Sequence, residues 1–148
     1  MIIQIISAFV GSIGFAIFFK MRGRQIPLAG IGGAITWAVY LLAQQYIEGY
    51  FIPYFIASVF VAIYAEVMAR VNKAPATIFL TATAVPLIPG GSLYYTMVGL
   101  VTEDKALFET SGTAAVTIAL AISLGFLVIA IASRYIRMFL NRGKKIPE

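Results

Sequence analysis

Five long apolar stretches, almost free of charge, constrain this chain more than any other feature of its sequence. A membrane-spanning helix needs about 20 mostly apolar residues. The five stretches are residues 1–19, 28–47, 52–69, 76–100 and 112–133. A soluble protein has about 25% charged residues to cover its surface, whereas only 11% of residues are charged here. We therefore predict an all-α integral membrane protein with about five transmembrane helices, in a single domain that covers residues 1–148.

The boundaries of the stretches carry the residues expected at helix ends. The first stretch has neither a basic leader nor a small-residue cleavage pattern, so we expect it to be retained as a span. Pro53 lies in the first turn of the third stretch, where a missing amide costs nothing. A polar loop, residues 102–111, precedes the fifth stretch. The basic tail, residues 134–148, is expected to continue as a helix before fraying at Gly143.

The basic residues predict the orientation, because short loops rich in Lys and Arg stay in the cytoplasm. With five crossings and an external N-terminus, Lys105 is the one basic residue of the 11 that lies outside. The cytoplasmic ones are Lys20, Arg22, Arg24, Arg70, Lys73, Arg134, Arg137, Arg142, Lys144 and Lys145. We therefore predict a multi-pass protein of the cell (plasma or inner) membrane with a cytoplasmic C-terminus. The net charge of +5 is explained by this topology, so nucleic-acid binding is not expected. The basic tail either contacts anionic lipid or serves only to keep the C-terminus in the cytoplasm.

The fourth stretch contains the sequence PLIPGG, residues 86–91, which predicts an interrupted helix. Two prolines and two glycines in six residues cannot continue an α-helix. The remaining pieces are each about half a bilayer long at about 1.5 Å of rise per residue, so the break should lie near the midplane. Non-helical backbone at that depth must be buried in protein or line a cavity.

The break is the strongest functional feature of the sequence. A half-helix with Ser92 as its N-cap would present free amides and a positive dipole end, as transporters do toward anionic groups. The alternative is a structural kink in which the Ser92 hydroxyl and a water satisfy those amides. The residues predicted to bind substrate are Pro86, Pro89, Gly90, Gly91, Ser92, Tyr94 and Thr81.

Glu66 is the one ionisable residue that lies inside a predicted span away from its extreme end. Carboxylates within the membrane are candidates for function, and Glu66 shares a helix face with Ser58 and Ala62. Arg70 lies four residues further on, where a salt bridge forms readily. A coupling or gating role for Glu66 and Arg70 and a structural ion pair both remain open. Trp37, in the second stretch, is interpreted as packing.

The composition argues against an enzyme and against a bound cofactor or metal. The chain has no cysteine and no histidine, which removes thiol chemistry and the commonest metal ligand and general base. No carboxylate pair lies at membrane depth, and no phosphate-binding loop of the G-x-x-x-x-G-K type occurs, so ATP is not expected to drive transport from within this chain. A proton or ion gradient is the expected energy source.

The sequence PLIPGGSLYYTM, residues 86–97, in the fourth of five apolar segments with a basic tail following, resembles the threonine/serine exporter family. The chain is similar over essentially its whole length to the small five-helix membrane subunit, which resembles the C-terminal half of the fused exporters. The resemblance implies a second membrane subunit as partner. It also implies export of threonine and serine, or of a small dicarboxylate such as succinate.

Two functional hypotheses follow from these observations. The first is a membrane subunit of a secondary transporter that exports small carboxylate-bearing metabolites. The second is a non-transporting structural or channel-like subunit of a membrane complex. Five helices can hardly enclose a polar path and also shield a broken helix on all sides. Association with a second subunit or with another copy is therefore expected under either hypothesis.

Overall fold

The computed structural model describes residues 1–142, which form six α-helices and no strand. The helices are α1 (Ile2–Phe18), α2 (Gln25–Tyr46), α3 (Phe51–Asn72), α4 (Ala76–Ala84), α5 (Gly90–Val101) and α6 (Lys105–Arg142). A short 3₁₀ turn, Val85–Leu87, follows α4. The all-α architecture is thus confirmed for the described part of the chain. The predicted fraying at Gly143, and the basic residues Lys144 and Lys145, lie outside it.

The number of spans agrees only in part with the predicted five. Three helices in residues 1–142 are long and apolar enough to cross a membrane, namely α2, α3 and the segment Lys105–Ile136 of α6. The pair Ala76–Leu87 and Gly90–Val101, bent by 56°, would make a fourth if it crosses as one span. Helix α1 has 17 residues and is about 25 Å long, somewhat less than the roughly 30 Å of the hydrocarbon core. The chain is a multi-pass membrane protein, but five full spans are not confirmed.

The turn between α3 and α4 follows from its residues. Lys73 adopts a left-handed conformation with φ 50° and ends α3. The Ala74 amide then donates to the carbonyl of Ala69, and the Asn72 side chain donates to the carbonyl of Met68 at 2.9 Å. The Ala74 bond is the one expected where a left-handed residue ends a helix, and the Ala69 carbonyl also accepts from the Lys73 amide. Pro75, in an extended conformation, immediately precedes α4, so α4 runs back along α3.

Small residues let α1 and α2 pack closely. Gly33 lies directly against Ser12, and Gly30 lies against the side chains of Phe9 and Ile13. Gly33 and Ser12 are both buried. In a membrane, close approach of helix backbones takes the place of hydrophobic burial as the source of association. The small-residue face of α2 is thus a packing surface against α1.

Helix α3 is central and packs against α2, α4 and α6. One buried cluster joins Tyr40 of α2 to Tyr54 of α3, with ring centroids 4.4 Å apart, and extends to Leu87 in the 3₁₀ turn. A second cluster forms around Phe79 of α4, which is fully buried. The two clusters fix α4 and the 3₁₀ turn against the bundle. Helix α5, by contrast, packs chiefly against α6.

Helix α6 begins earlier than the sequence predicted. The predicted loop, residues 102–111, is reduced to residues 102–104, because Asp104 caps a helix that starts at Lys105. The Asp104 carboxylate accepts a hydrogen bond from the Leu107 amide at 3.1 Å, the usual geometry of an N-cap. The hydroxyls of Thr110 and Thr113 donate to carbonyls of the same helix and so are compatible with it. The polar residues after Asp104 therefore belong to the first turns of α6.

Candidate transport site

The predicted break in the fourth stretch is present, but its geometry differs from the prediction. The backbone leaves α4 through the 3₁₀ turn, where the Ile88 amide donates to the carbonyl of Val85 at 3.1 Å. The Gly90 amide donates to the carbonyl of Ile88 at 2.7 Å, and α5 then begins at Gly90. The axis of the second half-helix is bent by 56° from that of the first. Pro86 has no amide to continue the α-helical pattern, which is the local cause of the change.

The prediction that Ser92 is the N-cap of the second half-helix is wrong. Pro89 occupies the N-cap position, and its carbonyl accepts a hydrogen bond from the Leu93 amide at 2.9 Å. Gly90 and Gly91 are helical and Ser92 is the third residue of α5. The backbone leaves the helical conformation at Ile88 and Pro89, with ψ angles of 126° and 54°, so the second half-helix begins directly after Pro89 and before the serine.

The first turn of α5 still has the features expected of an anion site. The amides of Gly91 and Ser92 precede that of Leu93, the first one to bond four residues back. They lie at the positive end of the dipole of α5. A Cβ added at Gly90 or at Gly91 would meet no atom within 4 Å. Positive partial charge thus lies beside open space at this helix end.

The far end of α5 is packed much more tightly. A Cβ at Gly99 would approach the backbone of Phe108 in α6 to 2.6 Å. Tyr94 and Tyr95 contact each other, with ring centroids 5.4 Å apart, and both are exposed. Helix α5 is therefore held at its C-terminal end by α6, while no other residue of the described range 1–142 covers its N-terminal end or the side chains of Tyr94 and Tyr95.

Thr81 lies on α4 and is exposed. Its hydroxyl lies within hydrogen-bond distance of the carbonyls of Thr77 and Ile78, at 2.9 Å and 3.2 Å, so its proton is engaged within its own helix. Within residues 1–142 no hydrogen bond joins Thr81 to Ser92 or to Tyr94. The structure thus brings Pro89, Gly90, Gly91 and Ser92 together at one helix start and places Thr81 and Tyr94 on separate exposed surfaces.

Glu66 and Arg70 form the ion pair that their spacing allows. The Arg70 guanidinium nitrogen lies 3.6 Å from a carboxylate oxygen of Glu66, and the Arg70 side chain is 56% exposed while that of Glu66 is 21% exposed. Glu66 also borders a cavity of about 400 Å³ between α3, α4 and α6, together with Thr77 and Ser123. Glu66 therefore both forms an ion pair with Arg70 and lines the cavity.

A second cavity, of about 300 Å³, lies between α1, α2 and the break. Its walls include Ser7 and Gly11 of α1, Trp37 of α2 and Pro86. We refer to it below as the tryptophan cavity. This cavity lies between the broken segment and the first two helices, and Pro86 borders it.

Trp37 was interpreted from the sequence as a packing residue, and in the structure it packs against the buried cluster around Tyr40 and Tyr54. Its ring packs against Tyr40 at a centroid distance of 4.8 Å. Its indole nitrogen Nε1 is buried and has no hydrogen-bond partner among the described residues. One sequence signal could have drawn attention to it: tryptophan concentrates at membrane interfaces, whereas Trp37 lies near the middle of the 22-residue helix α2.

A third cavity, of about 600 Å³, lies between α5 and α6 and is bordered by Thr96, Thr113 and Thr117. These hydroxyls donate to carbonyls of their own helices, to Ser92, Glu109 and Thr113 respectively, at 2.6–2.7 Å. Their protons are therefore already engaged. This cavity therefore offers a mostly apolar wall.

Comparison with known proteins gives one match. The family model described as Threonine/Serine exporter, ThrE matches residues 4–132. The matched region contains all of α2 to α5, the ion pair of Glu66 and Arg70, Trp37 and the break. No curated protein and no solved structure matches the chain.

Proposed function

Since the chain belongs to the threonine/serine exporter family, we propose that it is a membrane subunit of a secondary transporter that exports small carboxylate-bearing metabolites. Threonine and serine are the first substrates to test, and a dicarboxylate such as succinate is the second. The substrate carboxylate is held at the start of α5 by the amides near Gly91 and Ser92. The proposal places the export route along the broken segment.

The observation that carries this proposal is the bent pair of half-helices with open space at its junction. The two half-helices are bent by 56° relative to each other, and within residues 1–142 no neighbouring atom lies within 4 Å of a Cβ added at Gly90 or at Gly91. A structural kink alone would be expected to close on itself, because unpaired polar backbone in hydrocarbon costs several kcal/mol. An opening that persists beside helix-terminal amides favours a ligand, as in transporters built on discontinuous helices.

The same opening supports a partner subunit. Leu93, Tyr94 and Met97 of α5 are at least half exposed, and α5 packs chiefly against α6. Non-helical backbone cannot face lipid directly. We therefore propose that a second membrane subunit of the same family, or a second copy of this chain, covers the break and α5. The route for substrate would then lie between the two.

Glu66 is the proposed coupling or gating residue, with Arg70 as its partner. The Glu66 side chain is 21% exposed and the residue borders a cavity within the bundle. Carboxylates in such positions inside a membrane are candidates for function. An ion gradient then supplies the energy for export. The competing possibility, a structural ion pair at the cytoplasmic end of α3, predicts a different response to substitution, which is set out in the Discussion.

Export from vesicles tests the proposed function. Inverted vesicles are prepared that contain the chain either alone or together with the partner subunit. A proton gradient is imposed across their membrane, and uptake of labelled serine, threonine and succinate is measured. We expect gradient-dependent uptake of at least one of them when both subunits are present. Absence of uptake of all three by the assembled complex would favour a structural or channel-like subunit instead.

A further inference from the structure

An apolar groove separates α4 from α6. Both helices pack against α3, and within residues 1–142 they pack little against each other. The space left between them is the cavity of about 400 Å³ that Glu66 borders, which we call the α4–α6 groove. Several of its lining side chains are exposed, among them Thr77, Leu127 and Ala130. The groove is therefore open at the surface of the bundle.

The wall of this groove is built for a hydrocarbon chain. Glu66, Thr77 and Ser123 are its polar lining residues, and the others are all Ala, Leu, Ile or Phe. The Ser123 hydroxyl donates to the carbonyl of Ala119 at 2.7 Å, so its proton is engaged within α6. An acyl chain can lie along such a wall without leaving polar groups of its own unpaired, as a small polar solute would.

Helices α3 and α6 run side by side in the same direction. Tyr54, near the start of α3, shares a buried cluster with Ile118 of α6. Ser58, one turn further along α3, contacts Gly125, which is also further along α6. Residues that follow these contacts on the two helices therefore lie at matching levels of the bundle.

This register brings Arg70 and Arg134 to the same end of the groove. Arg70 lies 12 residues beyond Ser58, and Arg134 lies 9 residues beyond Gly125. At about 1.5 Å of rise per residue, these separations are about 18 Å and about 14 Å along neighbouring helices. The two arginines are thus within about one helical turn of each other in height.

Both arginines also lie on the faces that line the groove. Each follows a groove residue of its own helix by four positions, Arg70 after Glu66 and Arg134 after Ala130, and such residues are neighbours on a helix surface. Lys73 ends α3 at the same end of the bundle. The mouth of the groove therefore has three positive charges against the one negative charge of Glu66. The Arg70 side chain is 56% exposed, so part of its guanidinium remains accessible beside the ion pair.

We propose that the α4–α6 groove binds an anionic phospholipid. One acyl chain lies against the apolar wall, and Arg70 and Arg134 hold the headgroup phosphate, with Lys73 adding positive charge. Basic pockets between transmembrane helices recognise anionic headgroups in this way, and guanidinium groups bind phosphate through paired N–H donors. Such a lipid site is independent of the proposed transport function.

Lipid binding to the full chain tests this proposal. The chain is purified in a neutral detergent, stripped of lipid and titrated with phosphatidylglycerol or with phosphatidylcholine of the same acyl chains. Native mass spectrometry measures the bound copies. We expect one phosphatidylglycerol per chain to bind at least about tenfold more tightly than phosphatidylcholine, because each basic residue near an anionic headgroup contributes about fivefold. Equal affinity for the two lipids would overturn the proposal.

A charge substitution at the mouth separates a site from general attraction. Arg134→Gln should weaken phosphatidylglycerol binding by about fivefold. Arg24→Gln is the matched control, because Arg24 is exposed and immediately precedes α2, and no residue of α1 or α2 borders the groove. Arg24→Gln should leave the affinity unchanged. Equal weakening by both substitutions would mean non-specific attraction of anionic lipid to the basic loops, and would contradict the site.

A second pair of variants tests the position of the acyl chain. Ala130→Phe should fill the groove from α6 and abolish the tight binding of phosphatidylglycerol. Ala132→Phe is its control, since Ala132 is exposed on the same helix and is not among the residues that line the groove. Unchanged binding in Ala130→Phe, with elution on size exclusion like that of the parent, would contradict a chain in the groove. Displacement of the bound lipid by serine, threonine or succinate would instead identify the groove as a solute entrance and overturn the proposal.

Discussion

Ser58 of α3 and Gly125 of α6 lie so close together that the Ser58 hydroxyl occupies the space a Cβ at residue 125 would need. Ser58 is fully buried, donates to the carbonyl of Phe55 at 2.7 Å and lies 3.4 Å from the carbonyl of Ala121. Helices α3 and α6 therefore touch through a serine and a glycine. This contact fixes α6, and through it α5, relative to the central helix.

Gly125→Ala should loosen this contact. The added methyl group meets the Ser58 side chain and approaches the Phe55 carbonyl oxygen to 3.1 Å, and overpacking of this kind costs about 1–3 kcal/mol. Thermal stability in detergent, followed by size-exclusion elution after heating, measures the effect. Gly112→Ala on the same helix is the control, since its nearest neighbour is a Thr96 methyl group at 3.6 Å. It should be neutral or stabilising, because alanine favours a helix over glycine by about 1 kcal/mol. Equal melting of the two variants would contradict the assigned role of the contact.

The helices and the break could be predicted from the sequence because their causes are local. Pro86 removes an amide wherever it sits in the fold, and apolar length alone marks α2 and α3 as spans. The start of α5 could not be predicted in the same way. Pro89, Gly90 and Ser92 are all acceptable first residues, and the bend between the half-helices, which depends on packing against the bundle, decides among them.

The tryptophan cavity could not be predicted because it joins three segments that are distant in the sequence. Its walls come from Ser7, Trp37 and Pro86, and only their packing shows that the indole lacks a partner. The early start of α6 was missed for a simpler reason. Asp104 was counted as a polar loop residue, although an aspartate before a run of helix-forming residues is also a helix cap.

Topology gives the second prediction. The chain has no cysteine, so single cysteines can be introduced without background. Lys105→Cys at the start of α6 and Lys144→Cys in the tail should be labelled from opposite sides by a membrane-impermeant maleimide, with residue 105 reactive from outside. The reason is the distribution of basic residues, which favours a cytoplasmic tail. Labelling of both from the same face would exclude the orientation proposed here.

Glu66 gives the third prediction. Glu66→Gln removes the titratable group and keeps the shape, so gradient-driven export should be abolished while protein abundance in the membrane stays unchanged. Arg70→Gln is the control, because it breaks the 3.6 Å ion pair and leaves the carboxylate in place. An ion pair with this exposure is worth about 1 kcal/mol or less, so Arg70→Gln should retain most of the export activity. Equal, small effects of both substitutions would reduce Glu66 to a structural partner of Arg70.

The start of α5 gives the last prediction. Gly91→Leu places a side chain in open space, because no other element of the described residues comes within 4 Å of a Cβ at this position, so it should block the amides beside it without displacing the helix. Export should fall at least tenfold, with abundance and assembly unchanged. Ser92→Ala should have a smaller effect, because Ser92 is the third residue of α5 and does not cap it, and the backbone supplies the proposed contact with the carboxylate. Vesicle export with both variants, each shown first to assemble with the partner subunit, makes the measurement. An assembled Gly91→Leu protein with normal export and normal substrate affinity would mean that the break is a structural kink and that the carboxylate is held elsewhere.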